Sequence, residues 1–277
     1  MGPLAIRVEP GKKINLTKIE TRYSGDLDRS TAEARLEELT NELSDLQEML
    51  YAADTHSVLV VLQGMDTSGK DGTIRKVFSK IEILGARMAD FKTPSSLELA
   101  HDFLWRVHYR VPQRGDLVVF NRSHYEDVLI ARVRNLVPEA VWRKRYRHIN
   151  DFERLLADHN TIIVKFFLHI SKDEQKKRLL EREQDISKAW KLAPSDWYER
   201  PYWDDYMQAY EDALRECSTE YAPWYVIPAD RKWFRNIAVA ETLVATLRAY
   251  VPQWEQVLAK MSAERLAELA QIPERNE

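Results

Sequence analysis

The chain has one cysteine, Cys217, in 277 residues. No intrachain disulfide can form, which fits a reducing cytoplasm, the expected location. It also lacks any apolar run approaching the length of a membrane span, so neither a transmembrane segment nor a membrane partner is expected. Residues 1–20 carry charges throughout and contain no apolar signal core, which argues against secretion. Positive charge is not in excess: 41 Lys and Arg against 44 Asp and Glu leave a formal net charge of −3. That balance argues against a bulk cationic surface for nucleic acid, while leaving room for a local basic channel. There is no internal repeat and no low-complexity tract.

The chain is long enough to bury a full core in one large domain with a small appendage. Its hydrophobic content of 44% and charged content of 31% are those of an ordinary soluble globular protein. Eight Trp and twelve Tyr are many for this length; they belong to the core, to binding surfaces or to contacts between subunits. A homo-oligomer, dimer or tetramer, is expected.

The most informative stretch is Gly64-Met65-Asp66-Thr67-Ser68-Gly69-Lys70-Asp71-Gly72. It follows Ser57–Gln63, an apolar, β-branched run that reads as a buried strand, and precedes a helix start at Thr73–Phe78. Strand, glycine loop, lysine and helix together hold phosphates: loop N–H groups point inward, the helix N-terminus adds positive charge, and Lys70 reaches the anion. One position departs from the usual pattern. Asp71 stands where Ser or Thr normally offers a hydroxyl to Mg²⁺. A carboxylate in an anion-binding loop needs a neutralising cation, so Mg²⁺ is expected to be ligated differently, with Asp66 the first candidate. The alternative is a glycine-rich turn that binds nothing.

Residues 1–29 read as an irregular arm, marked by Pro3, Pro10, Gly11 and Gly25. An amphipathic helix follows over 30–52, capped by Ser30 and Glu33, with Leu36, Leu39, Leu43, Leu46 and Leu50 in one stripe. The stripe suits packing on the chain's own core or a coiled-coil seam. Further strands are expected at 85–91, 116–120, 161–168 and 224–227. Helices are expected from Ser95 to about Arg110, from Pro138 to about His159, from Ser171 onward, and to about Glu216, with two more after the last strand. Residues 184–204 read as a mobile segment. This alternation predicts an α/β protein, a parallel sheet of about five strands sandwiched by helices, with ligands at the strand C-terminal ends. Polar clusters at 63–72, 121–127 and 228–231 fall at three such ends, pointing to one active site.

Phosphoryl transfer asks for positioning and charge neutralisation. Lys70 and the loop amides would hold phosphates, and Asp66 could orient a metal or accept a proton. The strand ending at Phe120 resembles a Walker B strand, but Asn121 stands where an Asp for Mg²⁺ is usual, and Arg122 follows. Arg178 and Arg182 share a helix face at i and i+4, suited either to a polyanion or to a solvated face paired with Glu174 and Glu181. The basic run 143–148 reads as a solvated helix face, and His124 and His169 as structural.

Taken together, the Gly64–Gly72 loop, Asn121–Asp127, Phe166–Gln175 and Ala222–Asp230 resemble family-2 polyphosphate kinases, over roughly residues 30–250. The resemblance implies a P-loop kinase-like three-layer α/β/α sandwich with a helical lid. It also implies reversible, Mg²⁺-dependent phosphoryl transfer between inorganic polyphosphate and nucleotides. It divides the chain into an arm (1–29), a kinase domain (30–250, lid at about 178–204) and a helical tail (251–277). Catalytic roles fall on Asp66, Lys70, Arg122, Arg178 and Arg182, and metal contacts on Asp66 and Asn121. Substrate contacts fall on Gly64, Met65, Thr67, Ser68, Gly69, Asp71, Gly72, Phe91, Lys92, Glu126, Arg132 and Lys191. Asn121, with Glu126 nearby, resembles the subgroup that converts nucleoside monophosphates to diphosphates and on to triphosphates. The lid departs in Leu192 and in Pro194-Ser195, while Lys188, Trp190, Lys191, Asp196, Arg200 and Trp203 match in kind. The rival expectations are an ATP-dependent nucleoside monophosphate kinase, a polyphosphate kinase acting on ADP alone, and a non-enzymatic nucleotide-binding module.

Overall fold

All seven residues of Ser57–Gln63 and all nine of Thr161–His169 are buried. Strands apolar on both faces belong to a parallel sheet covered by helices on each side. The computed structural model, which describes residues 3–185 and 194–271, contains that sheet. Its strands are Ile6–Arg7 (β1), Ser57–Gln63 (β2), Ala86–Asp90 (β3), Leu117–Asn121 (β4), Thr161–His169 (β5) and Trp224–Pro228 (β6). Their order is β1-β6-β5-β2-β4-β3. Strands β2 to β6 are mutually parallel.

The sixth strand corrects the reading of the arm. β1 pairs antiparallel with β6, and Val8 N–H donates to the Trp224 carbonyl at 2.8 Å. Leu4, Val8 and Leu16 of the arm are buried. A two-residue strand is too short to show a period of two, so tertiary packing alone defines it.

The longer helices are Arg29–Ala53 (α1), Lys70–Val77 (α2), Glu139–Asp158 (α3), Lys172–Gln184 (α4), Trp203–Cys217 (α5), Lys232–Arg248 (α6) and Val251–Ala270 (α7). α1 packs on α6 at one face of the sheet, and α3 and α5 pack together at the other. The result is a three-layer α/β/α sandwich of the P-loop kinase type. Leu39, Leu43, Leu46 and Leu50 of α1 are buried, and ion pairs Arg35–Glu241 at 2.7 Å and Arg248–Glu42 tie α1 to α6. The leucine stripe thus faces the chain's own core. Among the described residues, no helix is long and apolar enough to cross a membrane.

Two local expectations are corrected. α1 is capped by Asp28, whose side chain accepts from Thr31 N–H at 3.0 Å, rather than by Ser30. The single helix expected from Ser95 breaks into Ser96–Leu99 and Trp105–His108. Its Ser95–Glu98 capping box is present, but Asp102 accepts from Leu104 N–H at 3.0 Å and offers the backbone a turn in place of the helix. Within 184–204, the described part from Pro194 is helical, as Pro194–Glu199 and Arg200–Tyr202. Lys188, Trp190, Lys191 and Leu192 lie outside the described residues.

Register positions the site. Leu62 pairs with Asn121, and Gln63 with Phe167, so the C-terminal ends of β2, β4 and β5 lie level. β3 and β4 lie to one side of β2, and β5 and β6 to the other. A crevice opens at such a switch point, beyond the end of β2.

Candidate active site

The loop after β2 turns on two glycines. A Cβ on Gly64 would stand 2.7 Å from the Leu168 carbonyl oxygen, and Gly69, at φ +105°, precedes α2 in a left-handed conformation. Lys70, buried as the first residue of α2, curls back so that its Nζ donates to the Gly64 carbonyl at 2.8 Å. Burial, and then Arg122, push its pKa below the ordinary lysine value, although Asp66, Glu126 and Asp71 oppose them. The ammonium is therefore desolvated and without a carboxylate in ion-pair contact among the described residues, a state that an incoming phosphate would relieve.

β4 delivers the neighbouring wall. Asn121 Nδ2 donates to Asp71 Oδ1 at 3.0 Å, leaving Asn121 Oδ1 buried without a partner. Arg122 sits at φ +61°, sparsely populated for a side-chain-bearing residue. Its Nη2 reaches Asp66 Oδ1 at 2.6 Å. Burial acts to lower the Arg122 pKa, but Glu126 and Asp66 outweigh it and hold the group above its ordinary value. Glu126 is shifted up by burial, against the pull of Arg122 and Lys70. A buried network underlies this segment. Lys165 Nζ donates to Glu153 and, at 2.8 Å, to the Tyr125 hydroxyl, while His124 Nε2 lies 3.2 Å from Glu153 Oε1.

Asp66, Lys70, Asn121, Arg122, Arg178 and Arg182 line one cleft of about 690 Å³. Thr67, Gly69, Asp71, Gly72, Phe91 and Lys92 line it as well. Gly64, Met65, Ser68 and Glu126 do not line the cleft; the first three form the buried underside of the loop. Arg132 is not brought to the cleft. Its guanidinium bonds Asp212 at 2.7 Å and stacks on Trp142 at 4.5 Å, which commits it to helix packing. Lys191 lies outside the described residues.

The two arginines of α4 differ. Arg182 lines the cleft 3.7 Å from Asp196. Arg178 is buried, with its Nε on Glu174 at 2.8 Å, Nη1 on the Thr67 and Ser68 carbonyls, and Nη2 on the Ala229 and Asp230 carbonyls. All five of its N–H groups are engaged. It clamps the glycine loop to the end of β6. Three cleft cations escaped sequence reasoning: Arg75, Lys232 and Arg235. Arg231-Lys232 followed by Arg235, directly after the 228–231 cluster, was the available signal. Eight lining residues are Lys or Arg and five are Asp or Glu, so the cleft is cationic on an acidic chain.

Among the described residues, no three acidic, imidazole or thiol groups converge as a metal cage. A hard divalent cation bound chiefly through substrate phosphates needs only one or two carboxylates. Asp66, Asp71 and the unpartnered Asn121 Oδ1 fit that requirement.

A lysine-bearing glycine loop at the switch point of a parallel sheet, facing arginines, defines a P-loop phosphotransferase. Comparison with known proteins makes this specific: residues 26–254 match the model of the polyphosphate kinase 2 family, and the chain belongs to that family. It is 53% identical to the AMP/ADP-polyphosphate phosphotransferase of Meiothermus ruber, across 90% of this chain and 94% of that one. It is 45% identical to the ADP-polyphosphate phosphotransferase of Rhodopseudomonas palustris, across 88% and 89% respectively. The crystal structure of polyphosphate kinase 2 from Arthrobacter aurescens TC1 superposes with a TM-score of 0.82 at 40% identity, covering 89% of this chain and 92% of that chain.

Proposed function

We propose that this enzyme transfers phosphoryl groups reversibly from inorganic polyphosphate to AMP and then to ADP, with Mg²⁺. The observation that carries this reading is the asymmetry of the cleft. Phe91 is the one aromatic among its described lining residues, on the β3 side, while Arg75, Lys232 and Arg235 stand on the α2 and α6 side without one. A base has a ring to meet on the first side, and a bare phosphate chain suits the second.

In the proposed reaction, an oxygen of the acceptor phosphate attacks the terminal phosphorus of the chain. The P–O bond to the next phosphate breaks, and the shortened chain leaves with the bonding electrons. Lys70 and the loop amides neutralise charge on the transferred group, and Arg122 faces the same oxygens. Asp66, fixed by Arg122, orients the acceptor and can take its proton. Bound Mg²⁺ would neutralise phosphate charge, held by Asp66, Asp71 and Asn121. The neutral amide of Asn121, committed to Asp71, adds no charge beside the acceptor, which supports acceptance of both AMP and ADP. Arg182 and Lys92 would guide the phosphates at the rim. A homo-oligomer in the cytoplasm completes the proposal; exposed Ile83, Leu84 and Met88 beside the open edge of β3 support self-association.

A coupled luminescence assay with polyphosphate as sole donor tests the acceptor range. ATP formed from AMP as well as from ADP supports the reading. ATP formed from ADP alone reduces it to an ADP-specific enzyme.

A further inference from the structure

We infer that Arg235, together with Lys232 one turn earlier on α6, forms a subsite for the donor polyphosphate chain on the side of the glycine loop away from Phe91. The inference rests on the polyphosphate reading above and adds two residues and a direction to it.

Arg235 is 3% exposed and lines the cleft. Its Nε and Nη2 donate to Asn236 Oδ1 at 3.1 and 2.8 Å, and its Nη1 donates to the Ser68 carbonyl at 3.3 Å. A guanidinium carries five N–H groups, so two remain unused. The group lies against the loop itself. A Cβ on Gly69 would overlap its Nη1, and one on Gly72 would come within 3.1 Å of Nη2. Among the described residues, no carboxylate lies within ion-pair distance of it. Burial, and then the positive Arg178, push its pKa below the ordinary arginine value. Guanidinium keeps its proton in proteins. The desolvated charge is therefore relieved by an anion entering the cleft and not by proton loss.

Lys232, more exposed than Arg235, is the second cation on this side. It lines the same cleft, and burial, followed by Arg178, lowers its pKa. Among the described residues it has no ion-pair partner. With no aromatic among the described lining residues on this side to receive a base, the anion that fits is a chain of phosphates. A nucleotide placed here would leave its base on charged groups.

The test compares Arg235→Gln, Arg235→Lys and Lys232→Gln with the wild type. KM is measured separately for long-chain polyphosphate and for ADP, and thermal melting with and without polyphosphate in the absence of nucleotide. The expected result for Arg235→Gln is a KM for polyphosphate raised at least about tenfold, the scale of one charge-assisted hydrogen bond. Its KM for ADP should stay within about twofold, and its polyphosphate-induced rise in melting temperature should shrink. Arg235→Lys should recover part of the polyphosphate KM. Lys232→Gln, at an exposed position, should raise that KM without lowering the melting temperature of the free protein. Equal changes in both KM values, or an unchanged polyphosphate KM with a lower melting temperature, would assign Arg235 to loop support and overturn the inference. If Arg235→Gln does not fold, the Lys232→Gln comparison decides by the same two KM values. A wild type with no turnover on polyphosphate would overturn the functional reading, and this subsite with it.

Discussion

Arg122 Nη2 lies 2.6 Å from Asp66 Oδ1, joining the end of β4 to the glycine loop after β2. The two residues are 56 positions apart and meet only because β2 and β4 pair in register. The contact holds a backbone at φ +61°, of the kind found where a site is pre-organised. Both side chains are part-exposed, at 39% and 24%, so the pair contributes little to stability.

Asp66→Asn should therefore separate function from folding. We expect kcat to fall by about 10²–10³, as for loss of one charged group aimed at the reacting centre, and stability to change by less than about 1 kcal/mol. Steady-state kinetics beside urea denaturation checks both. A fall in stability large enough to account for the lost activity would contradict the role given to Asp66.

Arg178→Leu should do the opposite. Removing these five hydrogen bonds, four of them buried, takes the partner from Glu174 and from the Thr67, Ala229 and Asp230 carbonyls, while the Ser68 carbonyl keeps its bond from Arg235. The expected destabilisation is roughly 3–5 kcal/mol, read by chemical denaturation. Arg178→Lys should recover only a fraction, because an ammonium cannot span the four carbonyls.

These two arginines mark where the sequence was legible and where it was not. The spacing of Arg178 and Arg182 placed both on one helix face, and both do line the cleft. What differs is supplied by carbonyls of Ala229 and Asp230, 51 and 52 residues away, which no local pattern encodes. The strand, loop and lysine of the phosphate site were readable because they are contiguous, and the Ser95–Glu98 box because it is local. Arg235 was hidden for the converse reason. Its interest lies in its approach to Gly69 and in the lack of an ion-pair carboxylate among the described residues, both of which arise only on folding. The β1 strand was hidden by its length, and Arg132 drew attention that Asp212 and Trp142 account for.

The buried pair Lys165–Glu153 offers a third contrast. Both side chains are fully buried, beneath the segment that carries Arg122. Lys165→Met alone leaves a buried carboxylate and should cost about 3–5 kcal/mol, whereas Lys165→Met with Glu153→Leu should recover most of that. A double-mutant cycle by denaturation measures the coupling. If the double variant is stable yet slow, the pair acts by positioning Tyr125 and His124, and through them the Arg122 turn.

Stability should also depend on pH through His169, whose Nε2 lies 3.0 Å from the Leu16 carbonyl of the arm and donates to it. Burial lowers its pKa below 6.5, more than Leu16 and Asp230 raise it. In the window below 6.5 the unfolded chain therefore binds more protons than the folded one. The stabilising contribution is whole above that value and declines as pH falls toward the folded pKa. Melting temperature measured from pH 7.5 to 5 should fall, and His169→Gln should flatten the slope. An identical slope in the variant would remove His169 from the account.

The most direct test of the whole account is ³¹P NMR of the enzyme with Mg²⁺ and AMP, with either inorganic polyphosphate or ATP as donor. With polyphosphate, signals of ADP and then of ATP should grow as the internal phosphates of the chain decline, and Lys70→Met should abolish both changes. Phosphorylation of AMP with ATP alone, and an unchanged polyphosphate signal, would make this a conventional nucleotide kinase and contradict the account.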